Sequence, residues 1–254
     1  MRLDISIHPT SIMKQLSNNM FDNHFEVVLA DNDYSRSLHY QVRYQVYCLE
    51  EGFENAAKFH TGEERDDWDD QSAHFLVRSK QTNEWVAAMR MVIPESGPLP
   101  IEGLCDIHPV ARPSVSGESA AEISRICVIN SYRRQSSEQQ SRIQKSLILK
   151  GLLSAAAQFS QENGIPYWYF LTTPGLARII SRLNVQLIKV GTACEHRGTR
   201  HPFLANLKQA IEQAKQGCPD LASMLSSRVS SYKRFSELEW NQESIPGYVK
   251  HLAA

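Results

Sequence analysis

Glu122-Ile123-Ser124-Arg125-Ile126-Cys127-Val128 is the stretch whose reading decides the fold. Its period-2 alternation, with β-branched residues at 123, 126 and 128, predicts a strand. A regular strand puts Ile123, Arg125 and Cys127 on one side and Glu122, Ser124, Ile126 and Val128 on the other. The apolar residues belong in the middle of a sheet, where a carboxylate and a guanidinium are costly unless paired. A carboxylate, a hydroxyl and a guanidinium at the head of a buried strand mark either a reaction site or a structural ion pair.

Upstream, residues 74–78 and 85–93 read as two strands joined at Thr82-Asn83, and residues 25–30 as another. Leu38, Val42, Val46 and Leu49 give residues 34–51 a helical stripe, with Arg43 beside it and Gly52 placed to stop it. Ile12, Met13, Leu16 and Met20 predict a short amphipathic helix before that. Residues 52–71 form a polar loop ending in Glu63-Glu64-Arg65-Asp66-Asp67-Trp68-Asp69-Asp70. A charge run is ordinarily solvated, but Trp68 must pack somewhere, so the loop is expected to fold inward with some of its carboxylates. Arg90 interrupts the apolar strand 85–93.

Residues 94–120 hold five prolines and two short apolar elements, 101–104 and 107–110; a connection this long in a compact domain is usually functional or mobile. Downstream come a helix over 138–162, a strand over 167–171, a helix from Thr173-Pro174 to 183 and a strand over 185–190. A basic turn at 196–201 carries Arg197 and Arg200, and a helix over 206–216 precedes further short helices. A hairpin feeding a strand–helix–strand unit predicts one three-layer α/β domain with a mixed sheet over residues 1–205, and residues 206–254 as a helical extension packed on it.

Composition narrows the class. Lys and Arg number 27 against 28 Asp and Glu, a net charge of -1 that gives no reason to expect nucleic acid. No apolar run is long enough to span a bilayer, and the N-terminus, with Asp4 and His8, lacks the pattern of a signal peptide. Cys48, Cys105, Cys127, Cys194 and Cys218 are odd in number and scattered, so neither a zinc site nor a disulfide framework is expected, and a reducing cytoplasm is the default. His74, His108 and His196 lack metal-ligand spacing.

The series Arg43-Tyr44-Gln45-Val46-Tyr47, Asp66-Asp67-Trp68-Asp69, Phe75-Leu76-Val77, Arg90 and Glu122-Ile123-Ser124-Arg125 resembles the acyl-homoserine-lactone synthases in order and spacing. It is more similar still to the N-acyl amino acid synthases, in particular the PEP-CTERM/exosortase-associated acyltransferases, through residues 43–48, 64–69 and the His-Arg-Gly-Thr-Arg turn at 196–200. The resemblance covers most of residues 38–205 and implies a GNAT-like fold, a mixed central sheet flanked by helices, that moves a fatty acyl group. It implies acyl-phosphopantetheine on acyl carrier protein as donor substrate, with no other cofactor and no metal, and an amino acid or similar amine as acceptor. Glu122, Ser124 and Arg125 would be the catalytic group, and Arg43, Asp66, Asp69 and Arg90 a charged cluster at the substrate, with Trp68 beside it.

Some of this chemistry is read from the residues themselves. The CoA-dependent GNAT enzymes that the chain resembles carry a glycine-rich turn after the fourth strand; the corresponding segment 131–142 has no glycine and offers Arg133, Arg134 and Arg142, either a surface for an acidic carrier protein or an ordinary solvated helix start. No Ser–His or Cys–His pair sits in a nucleophile motif, which favours direct attack by the amine, with Glu122 as general base. Trp85, Met89, Met91, Tyr167, Trp168, Phe170 and Leu171 are candidates for an acyl tunnel, although most such strand residues are plain core. The alternatives are an acyl-homoserine-lactone synthase and a non-catalytic module that holds an acyl carrier or lipid.

Overall fold

The computed structural model describes residues 21–113, 117–133, 137–225 and 230–238. The helix expected around residues 12–20 lies outside them. Among the described residues nine strands form one sheet in the order β6-β8-β5-β4-β3-β2-β1-β9, with β7 paired to β8. They are β1 (Phe25–Leu29), β2 (Ser72–Ser79), β3 (Trp85–Val92), β4 (Ala120–Val128), β5 (Tyr167–Thr172), β6 (Ile188–Lys189), β7 (Cys194–Glu195), β8 (Thr199–Asn206) and β9 (Lys233–Arg234). Pairing is antiparallel except for β4 with β5 and β1 with β9.

The helices follow from their caps. Helix α1 (Asp33–Tyr44) starts at a capping box between Asn32 and Ser35 and runs on into a π-helical turn, Gln45–Glu50, where a single regular helix over 34–51 was expected. Gly52 follows at φ +64°, a conformation glycine adopts without strain. A short helix α2 (Pro100–Leu104) sits inside the long connection, and α3 (Asn130–Arg133) follows β4. Helix α4 (Glu138–Glu162), capped by Ser137, makes the crossover that lets β4 and β5 run parallel. At Gly151 it passes so close to Phe21 that an added Cβ would lie 2.4 Å from the ring. Helices α5 (Pro174–Arg182), α6 (Leu207–Gly217) and α7 (Pro219–Leu225) complete the layers.

One large core spans Phe25, Leu76, Met89, Ile148, Phe170, Ala210 and Leu221, so the α6–α7 segment shares it; a smaller one joins Val92, Ile101, Ile107 and Tyr169. Two expectations change here. Residues 199–206 form a full strand beside β5, where only a basic turn was read, because Pro202 and the polar residues hide the alternation. The tail contributes the strand Lys233–Arg234 rather than helices alone. A third expectation also fails: Cys105 and Cys194 are joined in a disulfide. Scattered positions in sequence carry no information about a pairing that the Ile107–Gly191 bridge brings about.

Candidate active site

The register of β3 against β4 slips by one residue: Arg90 pairs with Ser124, but Ala88 pairs with Cys127. Arg125, at φ +53°, is the extra residue of a β-bulge, a strained conformation for a residue with a side chain. Because cross-strand partners share a face and Ala88 and Arg90 are two apart, Cys127 falls on the face of Ser124. Ile126 and Val128 move to the face of Ile123. This corrects the simple alternation: Glu122 and Ser124 stay together, while the rest of the strand is turned over.

The bulge delivers Arg125 into a buried ion cluster. Glu64 bridges two arginines, taking Arg43 Nε at 2.6 Å and Arg125 Nη2 at 3.0 Å. Asp69 receives Arg43 Nη1 at 2.5 Å and Arg90 Nη1 at 3.0 Å. Asp66 joins Arg90 at 2.5 Å to Arg125 at 2.8 Å, and Arg90 Nε donates to Ser124 Oγ at 3.1 Å. Arg43 is fully buried and Glu64 is 1% exposed. Three guanidinium groups thus face three carboxylates, the condition under which buried charges are tolerated. Burial opposes ionisation of Glu64 and Asp69, but the arginines outweigh it and hold each carboxyl at about 2. His39 and His74 pack against this cluster, and burial lowers both imidazoles, His74 to about 4. Neutral, they donate from Nε2 to the carbonyls of Met89 and Asp69.

Glu122 stands apart from that network. It is 4% exposed, and its Oε2 accepts the Ile101 N–H at 2.7 Å. No arginine pairs with it among the described residues; Glu64 does the anchoring that Glu122 might have been given. Burial drives its carboxyl up to about 7, with the Ile101 N–H and the positive charges of Arg90 and Arg125 opposing. It lines a cleft of about 460 Å³ together with Ser124, Arg125, Arg90, Asp66 and Trp68. Tyr47, Asp67, Leu171, His196, Arg197 and Arg200 are among its other walls.

Strands β4 and β5 pair only from Ala120–Tyr167 to Ile123–Phe170 and then part. Beyond the parting lies an apolar groove of about 610 Å³, walled by Tyr47, Phe53, Ile126, Val128, Leu149 and Ile179. Tyr47 lines both cavities. Of the residues proposed for an acyl tunnel, Trp85, Met89, Met91, Trp168 and Phe170 are core and only Leu171 reaches the cleft. Of the three candidate docking arginines, Arg142 is exposed beside Glu138 at 2.5 Å and lines the groove, the Arg133 side chain is not described and Arg134 lies outside the described residues.

The structure therefore brings Arg43, Asp66, Trp68, Asp69, Arg90, Glu122, Ser124 and Arg125 to one place. The 196–200 turn, read from sequence only as a basic turn and part of the resemblance, joins them in the cleft, and Glu64 was not named as a site residue. Glu64 had a signal, its position at the head of the 64–69 motif; its neighbour Glu63, bonded to Ser37, lies outside that motif.

Residues 42–141 match the family model described as an acetyltransferase (GNAT) domain. No curated protein matches the chain significantly. Among solved structures, the acyl-homoserine-lactone (AHL) synthase LasI superposes with a TM-score of 0.56 at 16% identity, over 76% of this chain and 96% of that one. FeeM, an N-acyl amino acid synthase from uncultured soil microbes, gives 0.53 at 11% identity, over 74% and 93%. BjaI, a CoA-dependent acyl-homoserine lactone synthase solved with SAM and isopentyl-CoA, gives 0.55 at 13%, over 87% and 96%. At these identities the likeness is one of architecture, and with the splayed β4–β5 pair and the match over residues 42–141 it establishes that this chain is built on the GNAT fold.

Proposed function

We propose that this protein is an N-acyltransferase that moves a fatty acyl group from the phosphopantetheine thioester of an acyl carrier protein to the amine of an amino acid or similar acceptor. The observation that carries this reading is the Glu122 carboxyl, buried, free of arginine and open to a cleft at the point where β4 and β5 part. Its raised pKa suits a general base near neutral pH. The acceptor ammonium gives a proton to Glu122, and its nitrogen lone pair forms a bond to the thioester carbon. The carbonyl oxygen takes the negative charge, which backbone N–H groups at the Arg125 bulge are suited to hold. Collapse breaks the carbon–sulfur bond, the departing thiolate takes the second proton of the nitrogen, and Glu122 releases the first to solvent through the cleft. The products are an amide and a free thiol.

In this reading the ion cluster sets the shape of the cleft, with Asp66 presented to the acceptor ammonium, and the apolar groove takes the acyl-pantetheine arm. The absence of glycine from 131–142, with arginine at 133, 134 and 142, favours a carrier protein over free CoA. The test is to incubate the protein with acyl carrier protein or CoA loaded with defined chains, plus an amine pool that includes SAM, and read products by mass. An N-acyl amino acid formed from the carrier-protein donor and lost in Glu122→Gln is expected. A lactone product, or a Glu122→Gln variant as fast as wild type, would overturn the assignment.

A further inference from the structure

The hairpin between β7 and β8 supplies one wall of the cleft. Arg197 and Gly198, both at positive φ, turn the chain, and the His196 N–H donates to the Gly198 carbonyl at 3.1 Å. Arg200 is thereby placed on β8 opposite Cys194 and reaches the cleft that Glu122 lines. Its Nε donates to the His196 carbonyl at 3.1 Å and its Nη2 to the Arg197 carbonyl at 3.0 Å. Two backbone carbonyls fix the plane of the guanidinium without cancelling its charge.

The other arginines of the cleft are neutralised. Arg90 and Arg125 share Glu64, Asp66 and Asp69, and Arg197 pairs with Glu54. Among the described residues no carboxylate lies within ion-pair distance of Arg200; the nearby Glu195 accepts from Thr199 Oγ1 at 3.3 Å. Burial and the neighbouring Arg197 disfavour the charge on Arg200, with Tyr47 and Glu195 opposing at longer range. A half-buried cation, oriented but unneutralised, beside an open cleft calls for an anionic ligand.

We propose that Arg200 binds the carboxylate of the acceptor, making the acceptor a free α-amino acid rather than a simple amine, an ester or an amide. This rests on the acyltransferase reading. The donor also carries an anion, its phosphate, but the whole pantetheine arm separates that phosphate from the thioester, whereas Arg200 and Glu122 line one cleft the size of a small molecule. An amino acid spans it with its amine at Glu122 and its carboxylate at Arg200.

Two measurements test this on the full chain. In the first, initial rates are taken with matched acceptors: amino acids, their amides and the corresponding decarboxylated amines. Wild type should prefer the acid over the amide by about 100-fold in kcat/KM, through KM, and Arg200→Gln should collapse that preference towards one while Arg200→Lys restores part of it. Equal use of acid and amide by wild type overturns the proposal and leaves acyl transfer standing. A rise in KM for the acyl donor instead of the acceptor assigns Arg200 to the phosphate and overturns it too. No transfer to any amine overturns the acyltransferase reading itself. The second measurement needs no turnover: calorimetric binding of an N-dodecanoyl amino acid against its methyl ester. The acid should bind about 100-fold more tightly to wild type and no more tightly to Arg200→Gln; equal affinity in wild type refutes the assignment.

Discussion

The Glu122 carboxylate accepts its hydrogen bond from the Ile101 main chain at 2.7 Å, so this carboxyl on β4 is held by the long connection and not by the arginines around it. A backbone amide fixes the carboxylate without supplying the full positive charge that would keep it ionised and weakly basic. The rate should therefore depend on pH. In the proposed reaction kcat/KM rises with unit slope as Glu122 loses its proton and levels above about 7. Glu122→Gln should lose at least about 100-fold in kcat together with that inflection. A pH–rate profile on both proteins checks this.

The same residue should cost stability. Its folded-state pKa of about 7 exceeds the ordinary 4.5, so its contribution is fully present below pH 4.5 and is lost as pH rises to 7. By pH 8 the loss is on the order of 3 kcal/mol, at 1.36 kcal/mol per pKa unit. Glu122→Gln should melt progressively higher than wild type between pH 5 and pH 8. Parallel melting curves across that range would show that the carboxyl is not buried as described.

Glu64 and Asp69 have the opposite sign. Both carboxyls sit near 2, so the stability they add is present above their ordinary values of 4.5 and 3.8 and disappears as pH falls through 2. Replacing Arg43 by Met leaves the two buried carboxylates short of a partner and should cost about 3–5 kcal/mol by urea denaturation at pH 7. Arg43→Lys should recover little of this, because an ammonium cannot reach Glu64 and Asp69 with a planar fork.

Gly191 tests the connection that holds Ile101. A Cβ there would lie 2.1 Å from the Asp106 carbonyl oxygen, at the bridge between Ile107 and Gly191. Gly191→Ala should destabilise the protein by about 1–3 kcal/mol and shift the midpoint of the pH–rate profile, because the strand of chain it displaces carries the amide on Glu122. A change in melting temperature with an unmoved midpoint would separate the two effects.

Thiol titration under denaturant should count three reactive cysteines, Cys48, Cys127 and Cys218, in untreated protein and five after reduction. The Cys105–Cys194 bond closes a separation of 89 residues, and losing a constraint on a loop of that size costs about 4–5 kcal/mol in the chain-entropy account. The melting temperature should fall accordingly on reduction. Five thiols in the untreated protein would mean that the bond does not form.

Much of the fold was legible because its signals are local. The 85–92 strand is apolar almost throughout, Gly52 stops the π turn and Thr173-Pro174 opens a helix. The charged cluster was legible for a different reason: Arg43 beside an apolar stripe and Arg90 within an apolar strand are placements that folding penalises unless carboxylates come to meet them. What sequence did not show depends on pairing between distant segments. Strand β8 exists because β5 offers it an edge, the Cys105–Cys194 contact depends on the Ile107–Gly191 bridge, and the way the loop turns sends Glu64 to Arg43 and Glu63 to Ser37. The bulge at Arg125 belongs to this class, since it exists only against β3.

In the proposed reaction, that surplus residue in β4 has a consequence for how two unlike reactants meet. Ahead of it the strand shows a carboxylate and a hydroxyl to the small polar partner; behind it, half a twist later, it shows isoleucine and valine to an oily one. A single backbone segment can in this way serve as the seam along which water-loving and water-avoiding molecules are brought edge to edge. Removing one amino acid from that seam would exchange the two faces while leaving every side chain chemically intact.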